Sequence, residues 1–84
     1  MVTKTVAVPF GLESRPSALF VQNAGKYKSD ISIAIDNIRV NAKSIMGVIS
    51  LAVLDNQVVT LTAEGEDENE AIEQLVIFLG EKHH

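Results

Sequence analysis

The sequence predicts an α+β fold: an open-faced two-layer sandwich in which three helices cover one face of a four-stranded antiparallel sheet. Four segments alternate apolar and polar residues with the period of a strand, three others carry helix signals, and they follow each other in the order β-α-β-β-α-β-α. The chain has 84 residues, of which 46% are hydrophobic and none is cysteine. A core of this size must therefore be stabilised by packing alone.

The first strand is predicted over residues 2–8, where valines alternate with threonines, and it ends at a proline and Gly11. Ser14 is the expected N-cap of the first helix, with Pro16 in the first turn, where the missing N–H is tolerated. Small and apolar residues then recur at helical spacing, and Gly25 is the expected stop. This segment predicts a helix of about ten residues that packs on the sheet.

A hairpin is predicted in the middle of the chain. Isoleucines alternate with smaller residues over residues 31–35, and Asp36 and Asn37 form a two-residue turn into residues 38–40. The next segment, residues 45–54, fits either a strand or a helix by periodicity alone. Its methionine, glycine and alanine favour a short helix.

This central helix has no charged residue, and apolar residues cover almost its whole circumference. Ser44 is its expected N-cap, and Asp55 marks its expected end. The residues that can face the sheet are Val48, Leu51 and Ala52. The residues that then point elsewhere are Ile45, Met46 and Ile49. An exposed apolar patch of this kind marks a partner surface, unless a loop or the first helix covers it, and the spacing favours neither interpretation.

The fourth strand is predicted over residues 58–63, where alternation is regular, and Gly65 ends it. Asp67 and Glu70 have the spacing of a capping box with aspartate as the cap, and Gly80 is the expected stop of the last helix. The apolar face of this helix comprises Ala71, Ile72, Leu75, Val76 and Leu79.

The rare residue types exclude several kinds of chemistry. The lack of cysteine excludes disulfides, cysteine-ligated zinc and a thiol nucleophile. Both histidines, His83 and His84, end the chain and are as consistent with the stub of a purification tag as with native sequence. The predicted domain, residues 1–82, then has no imidazole for base catalysis, metal binding or phosphohistidine chemistry. We therefore expect no metal, no cofactor and no enzymatic activity.

The charge balance argues against a nucleic-acid-binding surface. The net charge is -4, and the seven basic residues are scattered rather than clustered. No apolar run reaches the roughly 18 residues that a membrane span needs, and the first residues begin a strand pattern rather than a signal peptide. The sequence predicts a cytoplasmic protein with no direct nucleic-acid or membrane contact.

Ser44 is a candidate modification site. A phosphate there would add about -1.5 to -2 charges beside the free N–H groups at the start of the helix, where an anion is well tolerated. The modification would change the charge beside the apolar patch without unfolding the protein. A plain N-cap role is the commoner one for a serine at a helix start, and chemistry alone leaves both roles open.

Three segments resemble the HPr family, the small phosphocarriers of the sugar phosphotransferase system. Residues 41–51 resemble the family's regulatory-serine segment, and residues 65–68 resemble the turn before its last helix. Residues 11–17 are similar to the phosphorylation-site segment, in which Gly-Leu or Gly-Ile is followed by histidine, a small residue, arginine and proline. The resemblance covers essentially the whole chain, and it implies the HPr-like form of the predicted sandwich.

The chain departs from this family at its central chemical group. Glu13 stands where the family carries the phosphorylated histidine, which implies that sugar phosphotransfer through this protein is absent. An acyl phosphate on Glu13 is chemically conceivable, but a favourable interaction with the helix dipole is its expected local role. A missing histidine beside a retained serine segment resembles the catabolite-repression branch of the family in Bacillus-type Gram-positive bacteria, which carries glutamine there. The loop before Gly11 is shorter than is usual for the family.

The resemblance implies a regulatory function. Ser44 would be phosphorylated by the ATP-dependent HPr kinase/phosphorylase, and the phosphorylated protein would act as co-repressor for a LacI-type catabolite control repressor. The positions that match the family's repressor contacts are Arg15, Gln22, Ile45, Met46 and Ile49.

Other functions remain open from the sequence. The protein could be a phosphocarrier that uses Glu13 or another group, or an unphosphorylated adaptor of a metabolic enzyme. The short hinge at residues 9–11 also leaves a strand-exchanged homodimer as an alternative to a monomer.

Overall fold

The computed structural model describes residues 1–81, and its helices and strands follow the predicted order. The strands are β1 (Val2–Val8), β2 (Asp30–Ile35), β3 (Ile38–Asn41) and β4 (Gln57–Glu64). The helices are α1 (Ser14–Ala24), α2 (Ile45–Leu51) and α3 (Glu68–Leu79). The predicted fold class is confirmed. The end of the predicted domain at residue 82 and the suspected tag remnant, residues 83–84, lie outside the described residues.

The sheet has the order β1-β4-β2-β3, with every pair antiparallel. The first strand thus lies beside the last one, from Val2 opposite Ala63 to Val8 opposite Gln57. Side chains of one parity are buried beneath the helices: Val8, Ile31, Ile33, Val59, Leu61 and Ala63. The described residues leave the opposite face uncovered, and its hydroxyl side chains are Thr3, Thr5, Ser32, Thr60 and Thr62. The alternation predicted from the sequence therefore decides which face of the sheet the helices cover.

All three helices contribute to one core. Phe20 of α1 and Phe78 of α3 meet with ring centroids 6.0 Å apart and planes tilted by 50°. Val48 of α2 and Leu75 of α3 are fully buried above the sheet. The aromatic pair joins α1 to α3, and the buried Val48 packs α2 into the same core, so the two helices that carry the predicted site, α1 and α2, are both anchored in it.

Two helix ends differ from the sequence prediction. The N-cap of α1 is Glu13 rather than Ser14, because Glu13 is the extended residue whose carbonyl accepts the first helical bond, from Ser17 N at 2.8 Å. Helix α2 ends at Leu51, not at residue 54. There the backbone turns at Ala52, which adopts a left-handed conformation with φ 53° and donates its N–H to the carbonyl of Ile49. Ala52 is exposed, so the expectation that it faces the sheet is wrong.

The predicted capping box at α3 is also wrong. Asp67 stands at the N-cap position, but its carboxylate makes no cap hydrogen bond and instead accepts the N–H groups of Lys28 and Ser29 and the hydroxyl of Ser29. Glu68, not Glu70, reaches back to the turn before the helix. We refer to the contact among Asp67, Lys28 and Ser29 as the Asp67 clamp. The hydrogen bond from Ser29 and that from Lys28 N–H lower the pKa of Asp67 because they favour its charged form.

Candidate functional site

Ser44 begins α2 as predicted. Its backbone is extended, its carbonyl accepts the N–H of Val48 at 3.0 Å, and its Oγ accepts the N–H of Gly47 at 3.2 Å. The side chain is half-buried. Ser44 is therefore a functioning N-cap, and its hydroxyl oxygen lies among the free N–H groups that begin the helix.

The turn before α2 and the glycine within it set the surroundings of this hydroxyl. Asn41 orders the turn, since its side-chain oxygen accepts the N–H of Lys43 at 2.8 Å and its carbonyl accepts that of Ser44 at 3.0 Å. A Cβ on Gly47 would lie 3.3 Å from the Ser44 Oγ and 3.3 Å from the Cβ of Val40. Any side chain at residue 47 would crowd the hydroxyl, so the glycine keeps that approach open.

The outer face of α2 is apolar and exposed. Ile45 is 43% exposed, Met46 74% and Ile49 39%, whereas Val48 and Leu51 on the inner face are buried. We call Ile45, Met46 and Ile49 the α2 patch. The sequence left open whether a loop or α1 covers these residues, and within residues 1–81 neither does. With Ser44 at the start of the same helix, a serine hydroxyl lies beside this apolar surface.

The predicted α1 residues lie on the neighbouring helix, which packs against α2. Glu13, Arg15 and Gln22 are all exposed. Within residues 1–81, no hydrogen bond or ion pair joins any of these three side chains to Ser44. The structure thus brings Ser44 and the α2 patch together on one helix and leaves the α1 residues as a separate, adjacent surface.

Lys43 has a contact that the sequence did not indicate. Its ammonium donates to the carbonyl of Tyr27 at 2.7 Å, in the loop that follows α1. This bond ties the residue before Ser44 to the end of the neighbouring helix. No local sequence signal reports it, because the two residues are distant in sequence and one partner is a backbone atom.

Three other findings on the described residues bear on function: a cavity, the lack of a metal-binding cluster and the lack of a membrane-spanning helix. A cavity of about 450 Å³ lies against β2, β3 and β4, and the charged residues that line it are Asp30, Arg39, Lys43 and Glu64. Residues 1–81 contain no group of three or more carboxylate, histidine or cysteine side chains that could hold a metal ion. Over the same range, no helix is both long and apolar enough to cross a membrane.

Comparison with known protein sequences identifies relatives over almost the full chain. A family model described as "PTS HPr component phosphorylation site" matches residues 2–81. The chain is 51% identical over 77 residues to the HPr-like protein Crh of Bacillus subtilis, covering 92% of this chain and 91% of that protein. It is 43% identical over 76 residues to the phosphocarrier protein HPr of Buchnera aphidicola, covering 90% and 89%.

Solved structures give the same result. HPr-C-His from Thermoanaerobacter tengcongensis superposes with a TM-score of 0.89 at 48% identity, over 99% of this chain and all of that one. The crystal structure of Crh from Bacillus subtilis superposes with a TM-score of 0.77 at 51% identity, over 94% and 93% of the two chains. That Crh structure is described as a dimer with a swapping domain.

Proposed function

The chain belongs to the HPr family, whose members are phosphocarriers, and we propose that this protein is instead a regulator within that family. In this proposal Ser44 is phosphorylated by the ATP-dependent HPr kinase/phosphorylase. The phosphorylated protein then acts as co-repressor for a LacI-type catabolite control repressor in carbon catabolite repression. It works in the cytoplasm as a signal rather than as an enzyme, and it needs no cofactor.

The observation that carries the proposal is the position of Ser44 beside the α2 patch. A phosphoryl group on Ser44 would add charge at the edge of three exposed apolar side chains. Basic groups on the repressor would pair with the phosphate through charge-assisted hydrogen bonds, while the α2 patch fills an apolar groove. Modification would thereby control an interface whose area is mostly apolar.

The residue at the start of α1 supports a regulatory rather than a carrier role. Glu13 matches the family's histidine position, and the only histidines of the chain are His83 and His84. A carboxylate lacks the ring nitrogen that takes phosphate from one histidine and passes it to another. Similarity to the Crh proteins of Bacillus subtilis and Halalkalibacterium halodurans, each 51% identical, supports the same role.

The α1 residues extend the proposed interface. Arg15 and Gln22 are exposed one helix away from the α2 patch, and both match repressor-contact positions of the family. Direct DNA contact is unnecessary, because the repressor supplies the DNA-binding domain and this chain has a net charge of -4.

The proposal is tested by incubating the protein with ATP and HPr kinase/phosphorylase and then measuring intact mass and mapping the modified residue. We expect a gain of one phosphoryl group on Ser44 and tight binding of the repressor by the phosphorylated form alone. Ser44→Ala is the matched control. If Ser44→Ala protein still binds the repressor in a kinase- and ATP-dependent way, the proposal is wrong.

A second variant separates the phosphate from the apolar surface. Met46→Asp leaves Ser44 available to the kinase but introduces an unpaired charge into the α2 patch. We expect full phosphorylation with weakened repressor binding. Unchanged binding would show that the α2 patch lies outside the interface.

The alternative that the similarity to a phosphocarrier favours is transfer through Glu13 or another group. Incubation with phosphoenolpyruvate and the sugar-system enzyme I, without ATP, distinguishes the two functions. A phosphoryl gain under those conditions favours the carrier. A pull-down of metabolic enzymes with and without kinase treatment tests the third function, an unphosphorylated adaptor.

Self-association is the remaining part of the proposal. The swapped dimer described for Bacillus subtilis Crh supports a strand-exchanged homodimer here. Strand β1 is joined to α1 by a short loop that turns at Gly11 with φ 62°, and short hinges favour exchange. Analytical ultracentrifugation over a concentration series tests this, and a monomer at every concentration would contradict it.

A further inference from the structure

We propose that Phe10 and Leu54 form a second apolar docking element, which the same phosphoserine-dependent partner covers with an apolar pocket edged by basic side chains. We call these two residues the loop pair. The inference rests on the proposed function and extends its interface to a part of the molecule that neither the serine segment nor α1 includes.

The two loops that carry the loop pair are bonded to each other. The N–H of Leu12 donates to the carbonyl of Val53 at 2.9 Å, and the N–H of Asn56 donates to the carbonyl of Val8 at 2.8 Å. Gly11 lies between these bonds with φ 62°. The β1–α1 loop and the α2–β4 loop therefore form one structural unit.

The backbone at Gly11, the residue after Phe10, lies close to the backbone of Val53 and Leu54. A Cβ on Gly11 would lie 2.9 Å from the carbonyl oxygen of Val53 and 3.0 Å from the carbonyl carbon of Leu54. Gly11 is the next residue after Phe10, so the two exposed side chains project from backbone segments in direct contact. A side chain at residue 11 would clash with the backbone of Val53 and Leu54, so the two loops can approach this closely only with glycine there.

Each loop buries one apolar side chain and exposes the other. Leu12 and Val53 are 5% and 4% exposed, whereas Phe10 and Leu54 are 47% and 68% exposed. The buried residues anchor the loops, so a partner that covers the loop pair would pay little entropy to order them. An exposed aromatic ring and an exposed leucine, carried by two loops whose backbones are bonded to each other, offer a partner apolar surface that it can cover.

Charge identifies the kind of partner. Glu13 and Asp55 flank the loop pair in sequence, both are exposed, and neither forms an ion pair with a described basic side chain. Two copies of the chain docked through their loop pairs would bring like charges together, so the loop pair is unsuited to joining two copies; the strand exchange proposed above uses β1 instead. A partner with basic groups around an apolar pocket complements this surface, and the partner that binds a phosphoserine must present basic groups as well.

The loop pair is also continuous with the proposed interface. Leu54 follows the end of α2 after Ala52 and Val53, and Phe10 begins the segment that leads to Glu13 and Arg15. It therefore lies at the junction of the two segments that the proposed interface uses. A partner in contact with both α1 and α2 would reach it without a separate binding event.

The test compares Phe10→Ala and Leu54→Ala with Ile38→Ala and Ile77→Ala. The last two residues are also exposed, by 61% and 51%, but lie on β3 and α3. Each protein is fully phosphorylated on Ser44, and its affinity for the repressor is measured by calorimetry. We expect at least about fivefold weaker binding for each loop-pair variant and changes within about twofold for the controls.

A charge variant adds an independent arm. Asp55→Asn should slow association with the repressor and reduce its dependence on ionic strength, because a charge at the interface rim acts mainly on the association rate. Thermal unfolding of every variant checks the fold. Phe10→Ser or Leu54→Ser replaces the alanine variant of the same residue if that variant unfolds early.

The outcomes separate this inference from the proposed function. Binding that depends on Ser44 phosphorylation but is unchanged in Phe10→Ala and Leu54→Ala proteins overturns the loop pair alone. Binding that ignores Ser44 overturns the proposed function, and the loop pair with it as an extension of that interface.

Discussion

Helices α2 and α3 cover the same face of the sheet, but they are attached to it in different ways. Helix α3 has twelve residues and buries five of them, with glutamates in its first turn. Helix α2 has seven residues, buries only Val48 and Leu51, carries no charge and exposes the α2 patch.

The difference shows how this fold separates stability from recognition. Most helical burial comes from α1 and α3, so the outer face of α2 can remain apolar without loss of the core. A short helix also depends more on its cap, because few side chains hold it in place. Changes in α3 should therefore act on folding, whereas changes on the outside of α2 should act on binding.

The largest expected effect is in α3. Leu75→Ala removes a fully buried side chain, and we expect the free energy of unfolding to fall by about 2–5 kcal/mol, because a cavity is left above the sheet. Chemical denaturation measures it. A loss below about 1 kcal/mol would mean that α3 does not anchor the core as described.

A smaller effect is expected at the start of α2. Ser44→Ala removes the side-chain oxygen that accepts the Gly47 N–H, and should lower the free energy of unfolding by about 1 kcal/mol. Ser44→Asp keeps an acceptor there and should lose less. Equal losses for the two variants in a denaturant titration would contradict the capping role.

The Asp67 clamp should contribute only when its carboxylate is charged. The pKa of Asp67 is lowered in the folded protein, so the stabilisation is fully present above the ordinary value of 3.8 and is lost as pH falls towards the folded value. We expect the free energy of unfolding to decline in that acid range. Asp67→Asn should reduce the pH dependence there, and identical pH profiles for both proteins would refute the clamp.

The smallest effect on folding is expected on the α2 patch. Met46→Ala alters a side chain that is 74% exposed, so the free energy of unfolding should change by less than about 0.5 kcal/mol. Repressor binding by the Ser44-phosphorylated variant should nevertheless weaken. A clearly lower free energy of unfolding for the Met46→Ala protein would contradict the conclusion that the outside of α2 acts on binding rather than on folding.

The sequence predicted the order of elements and the face of each strand, because both depend on local periodicity. It also placed Ile45, Met46 and Ile49 on the side of α2 away from the sheet, but whether another segment covers them depends on tertiary packing, and the spacing left that open. The sequence did not predict the end of α2. The left-handed residue that ends it is Ala52, whereas the usual signal for such an end is glycine or asparagine.

Contacts between residues that are distant in the chain could not be predicted from local sequence patterns. The spacing of Asp67 and Glu70 matched a capping box, but the carboxylate of Asp67 accepts three hydrogen bonds from Lys28 and Ser29, in a loop that only tertiary packing brings close. The bond from Lys43 to the Tyr27 carbonyl is of the same kind. Local patterns predict local bonds, and a long-range partner can displace them.

The pairing of the first strand with the last has a consequence for folding on the ribosome. Val2 lies opposite Ala63, so β1 finds its place only after almost the whole chain has been synthesised. Contacts with such large sequence separation form late, because their loop-closure entropy must be overcome first. During synthesis β1 therefore stays unpaired until β4 has left the ribosome, because β4 is its only neighbour in the sheet that the described residues form.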